Sequence, residues 1–334
     1  MIAEAVVRIG QQLSQEQRII WYQSVFSQLV AYHSWLYKER DPNRDGLVVQ
    51  LHPWETGLDN SPPCMVELRN KNLPWWLRFL EISHLDNIGN YFRTDYNYVS
   101  KGERSSNIEA LSLYNLLTKI RRKKYDSQAI LRDPAFAIED ITYNSILIRA
   151  NALLSEIAEV IHQKLPEQLI KSISQAASAL ENLWDNDNHQ YFSRQFISGR
   201  LIKQPSIGSL LALYSGAISH QRAGQLVKII EDNQSYGLEF PLPTVPTISS
   251  WFNPNQYWQG PTWVNTNWLI IDGLKRYGFH DQANSLTMTT LCLVEKSGFY
   301  EYFNPISGVA RGVNNFSWTA ALTIDLIQNT GLVG

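Results

Sequence analysis

Apolar residues recur at helical spacing along nearly the whole chain. Ser14 and Gln17 spell a capping box, after which Tyr22, Phe26, Leu29, His33 and Leu36 form one stripe. The same period predicts helices over 105–123, 138–163, 166–184, 206–216, 219–232, 261–277, 280–297 and 315–330, and a shorter one near 74–87. Pro166 and Pro261 are expected at the first positions of their helices, where a missing N–H costs nothing. Two-residue alternation is scarce. Its clearest case, Gln190 to Lys203 ("QYFSRQF" to "RLIK"), predicts a short β-hairpin.

These helices are joined alternately by tight turns and by longer loops rich in Trp, Gly and Pro. No Gly/Ser linker, charge block or low-complexity segment divides the chain. The expectation is therefore a single all-α domain over 1–334, built as a toroid of paired helices whose elaborate loops converge on one rim. Nine or ten helices are fewer than the twelve of a closed ring. The helix after Ser14 already reads as an interior member, so the (α/α)6 toroid is expected to be incomplete at its N-terminus.

Composition narrows the chemistry. The 334 residues are 44% hydrophobic and 18% charged, which places the chain among globular proteins. A formal net charge of −2 supplies no field for a phosphate backbone, and the one basic run, "KIRRKKY" (Lys119 to Tyr125), reads as the end of a solvated helix. Nucleic acid is not an expected partner. Cys64 and Cys292 show no C-x-x-C spacing, and the 7 His are scattered without an H-E-x-x-H arrangement. No phosphate-cradling Gly-rich loop is present either, so neither metal nor cofactor is expected. The opening "MIAEAVVRIG" lacks a basic start, and no apolar run approaches membrane-spanning length. A cytoplasmic protein without membrane association is the expectation.

The informative bias is aromatic, with 11 Trp and 16 Tyr. Trp54 in "HPWETG", Trp258 and Trp263 in "YWQGPTW" and Trp318 in "NFSWT" stand in loops beside amides and acids. Flat apolar faces next to hydrogen-bonding groups suit sugar rings. Asp59 and Glu301 are isolated carboxylates, each in such an aromatic loop. Both have plain alternatives: Asp59 as part of an Asx turn, Glu301 as a half-buried acid paired with backbone or Arg311. Glycoside hydrolysis needs two such groups, one protonated to serve the leaving oxygen and one ionised to activate water. Burial against rings raises the first, and a polar setting keeps the second charged.

The segments "HPWETGLDNSP", "YWQGPTWVNTNW" and "FYEYFNPISG…NNFSWTAAL" resemble the signatures of glycoside hydrolase family 63 and its bacterial relatives, closest to the mannosylglycerate/glucosylglycerate hydrolase group. With "AFAIEDITYNSILIRANALLSEIAE" they cover the chain from about Phe26 onward. The resemblance implies a six-hairpin toroid like that of trehalase and glucoamylase, and inverting cleavage of an α-glycosidic bond in a small glucoside or mannoside. It further implies Asp59 as general acid and Glu301 as general base, with Trp54, Gln259, Trp263 and Tyr302 around the sugar pocket. Trp258 and Trp318 are expected as pocket wall or as support behind it, and Phe303 and Asn304 as aids to the base. The resemblance implies an N-terminal part carrying the first helices of the toroid, and that part is expected to be missing from this sequence. A carbohydrate-binding remnant without turnover is the alternative.

Overall fold

The computed structural model describes residues 1–70, 79, 83, 93–100 and 102–329, so the helix expected near 74–87 falls almost wholly outside the described residues. Helices α1 (Ile2–Gln11) and α2 (Gln15–Arg40) form a first hairpin. A long excursion then holds α3 (Pro62–Asn70), α4 (Asn107–Arg122) and α5 (Ser127–Arg132). Three more hairpins follow: α6 (Ile141–Val160) with α7 (Glu167–Leu180), α8 (Ile207–Ser215) with α9 (His220–Glu231), and α10 (Val264–Arg276) with α11 (His280–Ser297). Helix α12 (Ser317–Gln328) comes last.

The first helix of each hairpin packs on the first helix of the next: α1 on α6, α6 on α8, α8 on α10, α10 on α12. The second helices, α2, α7, α9 and α11, lie against their own partners on the outside. Burial follows this division. Every residue of α8 is buried, whereas α2 buries a narrow stripe of Tyr22, Leu29, His33, Leu36 and Tyr37. Inner helices approach closely where small residues allow it. A Cβ on Gly273 of α10 would stand 2.6 Å from the Leu213 carbonyl carbon of α8.

One ionic cluster spans the inner layer. Arg8 of α1 donates to Glu4 at 2.6 Å and to both oxygens of Asp325 of α12 at 3.0 and 3.3 Å. Its guanidinium lies 4.5 Å from the centre of the Trp268 ring, whose Nε1 donates to Asp325 at 2.7 Å. Tyr214 of α8 donates to Glu4 at 3.0 Å. The first and last inner helices are thereby held together.

Turns from an inner to an outer helix are short. The returns run through 41–140, 181–206, 232–263 and 298–316, and are long. Because every return re-enters at the N-terminus of an inner helix, all four emerge on one rim. They carry the strands β1 (Ile138–Glu139), β2 (Trp184–Asp185), β3 (Gln190–Tyr191), β4 (Arg194–Gln195), β5 (Tyr302–Phe303) and β6 (Ala310–Arg311), paired antiparallel as β1–β4, β2–β3 and β5–β6.

Several elements differ from the sequence expectation. Within Gln190 to Lys203 the internal pairing is a single bridge, Arg194 to Leu201, and the strands recruit upstream partners instead. Pro261 does not open a helix. Thr262 exchanges backbone hydrogen bonds with Phe303 at 2.8 and 2.9 Å, which holds the chain extended until Val264. Pro166 is the cap preceding α7, and α6 starts only after Asp140, whose side chain accepts from the Tyr143 N–H at 3.0 Å. Helix α1 was not expected, and it makes α2 an outer helix. Helix α3 was not expected either: Pro62 and Pro63 lie in its first turn, where proline is tolerated. Among the described residues, no helix is long and apolar enough to cross a membrane.

Candidate active site

Three of the rim returns meet around Tyr257. Asp59 lies between a 3₁₀ turn (Pro53–Glu55) and α3, partly exposed, while its neighbour Asn60 is fully buried. Asn60 bolts this loop to the one preceding α10. Its Oδ1 accepts from the Trp258 N–H at 3.1 Å and its carbonyl accepts from Gln259 Nε2 at 2.8 Å. Gln259 Nε2 also donates to Glu109 Oε1 at 3.0 Å, and Glu109 Oε2 accepts from the Ser106 N–H at 2.8 Å. Asp59 thus projects from a backbone fixed by its buried neighbour.

Burial pushes the Asp59 carboxyl up to about 6. A hydrogen bond from Tyr257 and the charge of Arg104 oppose this rise, while the charge of Glu301 adds to it. Tyr257 adopts a left-handed backbone with φ of 40°, a conformation that a bulky residue holds only under constraint. Burial, then the charge of Asp59, push its phenol up to about 12, so it stays a proton donor toward Asp59.

Glu301 precedes β5 and is 5% exposed. Arg311, the partner in the plain alternative reading, is elsewhere, donating to Glu103 at 3.1 Å and to Asn255 at 3.0 Å. Arg104 takes that place with a two-pronged contact, Nη1 to Oε1 at 2.8 Å and Nη2 to Oε2 at 2.6 Å. The Val313 N–H donates to Oε2 at 3.2 Å. Gly312 makes room for this: its φ is +71°, and a Cβ there would meet Glu301 Oε2 at 2.6 Å. The Arg104 guanidinium lies 4.8 Å from the Tyr257 ring centre. Asp59 and Glu301 therefore approach one another across Tyr257 and Arg104, near enough for each carboxylate to act on Tyr257 and for Glu301 to act on Asp59.

The aromatic residues divide into backing and rim. Trp263 stacks on Trp258 with centroids 3.7 Å apart and on Tyr302 at 4.7 Å, and all three are buried. The Tyr302 hydroxyl is committed to the Glu103 carbonyl. These rings form a buried wall against Tyr257. Gln259 likewise spends its amide hydrogens on framework oxygens. Trp54 stands apart: its ring packs 4.5 Å from His52 in a cavity shared with Arg40, Leu117 and Tyr125. Among the rings that touch this wall, Trp318 is 38% exposed and set against Trp263 at 5.8 Å. Phe303 is paired with Thr262, and Asn304 accepts from the Ile306 and Ser307 N–H groups in a tight turn after β5. Tyr257, Arg104, Glu103 and Glu109 were missed by sequence reasoning. The capping-box spelling from Ser106 to Glu109 was the one visible signal among them.

The decisive comparison is with a known family. Residues 1–319 match the mannosylglycerate hydrolase MGH1-like glycoside hydrolase domain. The chain belongs to this family of glycoside hydrolases. It is 36% identical over 300 residues to a mannosylglycerate hydrolase of Thermus thermophilus, covering 90% of this chain and 69% of that one. A glucosylglycerate hydrolase of Mycolicibacterium hassiacum is 28% identical over 89% of this chain and 66% of its own length. Among solved structures, a family 63 mannosylglycerate hydrolase, also of Thermus thermophilus and in complex with Tris and D-glycerate, superposes with a TM-score of 0.87 at 33% identity, covering 98% of this chain and 76% of that one. The helical layers described above are those of the (α/α)6 toroid, and the chain is a member of the O-glycosyl hydrolases.

Proposed function

We propose that the chain hydrolyses the α-glycosidic bond of a glycerate glycoside, glucosylglycerate or mannosylglycerate, by inverting acid/base catalysis. The observation that carries this reading is the shared surrounding of Asp59 and Glu301: two carboxyls from distant segments, one pushed up to about 6 and the other held by a guanidinium. Protonated Asp59 gives its proton to the glycosidic oxygen as the bond to the anomeric carbon breaks. Glu301 takes a proton from a water whose oxygen bonds to that carbon from the opposite face. The groups end in exchanged protonation states, and solvent resets both. Inversion calls for carboxyls about 6.5–9.5 Å apart, leaving room for the water. The names of the relatives support the glycerate aglycone, and the accessible Trp318 ring beside the buried wall suits a hexose face.

Incubation with glucosylglycerate, mannosylglycerate and trehalose, with the first-formed anomer read by proton NMR, tests the proposal. Release of the β-anomer of the sugar is expected, with kcat/KM falling above about pH 6 as Asp59 ionises. Asp59→Asn and Glu301→Gln are each expected to lower kcat by about 10²–10⁴-fold. Unchanged turnover in both variants would remove their assigned roles, and calorimetric sugar binding without turnover in the parent chain would favour a binding module.

A further inference from the structure

Arg104 and its neighbour Glu103 belong to a rim segment with no assigned part in the reaction, yet both grip the hairpin that carries Glu301. Glu103 is buried and accepts from the Gly312 N–H at 3.1 Å and from Arg311 at 3.1 Å, and its carbonyl accepts from Tyr302. Arg104 meets both oxygens of Glu301. One dipeptide thus holds the hairpin by its side chains, its backbone and its carboxylate at once. We propose that the Glu103–Arg104 pair is a positioning clamp that fixes the carboxylate plane of Glu301 and leaves Oε1 as the atom that receives the proton from water.

The lone pairs carry this assignment. Each carboxylate oxygen accepts two hydrogen bonds readily. Oε2 takes two, from Arg104 Nη2 and the Val313 N–H. Among the described residues, Oε1 takes one, from Arg104 Nη1. A forked contact also removes the rotation about the last side-chain bond that a single donor would permit. The remaining direction on Oε1 is therefore fixed in space, as a base acting on one water requires. The same guanidinium lies on the Tyr257 ring, so its position is coupled to the phenol that donates to Asp59.

The inference rests on the proposed role of Glu301 as base, so the test includes a measurement that does not need turnover. Arg104→Met, Arg104→Lys and Glu103→Gln are compared with the parent for kcat, KM, the pH profile and thermal stability. Arg104→Met is expected to lower kcat about 10²–10³-fold with KM within about three-fold, Lys restoring part of the loss because it supplies charge without the fork. Glu103→Gln is expected to lower kcat about ten-fold. The groups acting on Asp59 are Tyr257, Arg104 and Glu301, and its charge reaches buried Cys64. Loss of the Arg104 charge should move the alkaline limb of the profile upward, which a purely structural role would not do. Independently of activity, the infrared difference between the parent and Glu301→Gln isolates the Glu301 carboxylate bands. The same difference taken in the Arg104→Met background should show them displaced. Undisplaced bands overturn the clamp even if the parent proves inactive. Higher kcat in Arg104→Met, or a loss confined to KM, would overturn it in an active enzyme.

Discussion

Asp59 illustrates how a buried carboxyl weakens the fold that holds it. Its carboxyl is pushed from 3.8 up to about 6, chiefly by burial. A group whose folded value is raised contributes stability that is full below about 3.8 and lost as pH rises through about 6. Asp59→Asn should therefore stabilise the chain by about 1–2 kcal/mol at pH 8 and leave it unchanged near pH 3, after discounting for partial exposure. Thermal denaturation at the two pH values checks this, and a uniform shift at both would contradict it. Gly312 is the opposite kind of residue, one whose lack of a side chain the site depends on. Gly312→Ala places a methyl group on Glu301 Oε2 at a left-handed backbone position. It should lower kcat about 10²-fold while costing about 1–3 kcal/mol, read by kinetics and urea denaturation together.

At the scale of elements, the start of α4 joins the loop bearing Asp59 to the loop preceding α10. Glu109 closes a capping box with Ser106 and also receives the Gln259 amide. Glu109→Gln should lower kcat about ten-fold with little change in KM, because a glutamine has one acceptor oxygen for these two donors. Steady-state kinetics at saturating substrate would show it. This element also marks what the sequence could and could not reveal. The long amphipathic helices were legible because burial on one face repeats at the helical period. The capping box at Ser14 was legible because it is local. Helix α1 was missed although Ala3, Val6, Val7 and Gly10 are buried at helical spacing, and two-residue strands carry no alternation at all. Asp59 and Glu301 stood out as acids among rings. Arg104 and Glu103 did not, since "GERSSNIE" reads as an ordinary hydrophilic turn, and contacts across nearly two hundred residues leave no local trace.

For the molecule as a whole, the clasp of Arg8 on Glu4 and Asp325 joins the first inner helix to the last. Arg8→Met would leave Glu4 and Asp325 without this cation. Because the arginine is about a third exposed, the expected loss is about 1–3 kcal/mol, below that of a fully buried pair, and it should appear as a lower urea midpoint with an unchanged slope. The two cysteines occupy opposite situations in the same architecture. Cys292 is exposed on α11, while Cys64 lies wholly enclosed in α3, five residues beyond Asp59. A thiol reagent should therefore consume one equivalent at once and the second only as fast as α3 opens. The chain carries its own clock for the breathing of the Asp59 loop, with a fast thiol to mark time zero. A tightly held sugar should slow the late phase and leave the early one alone.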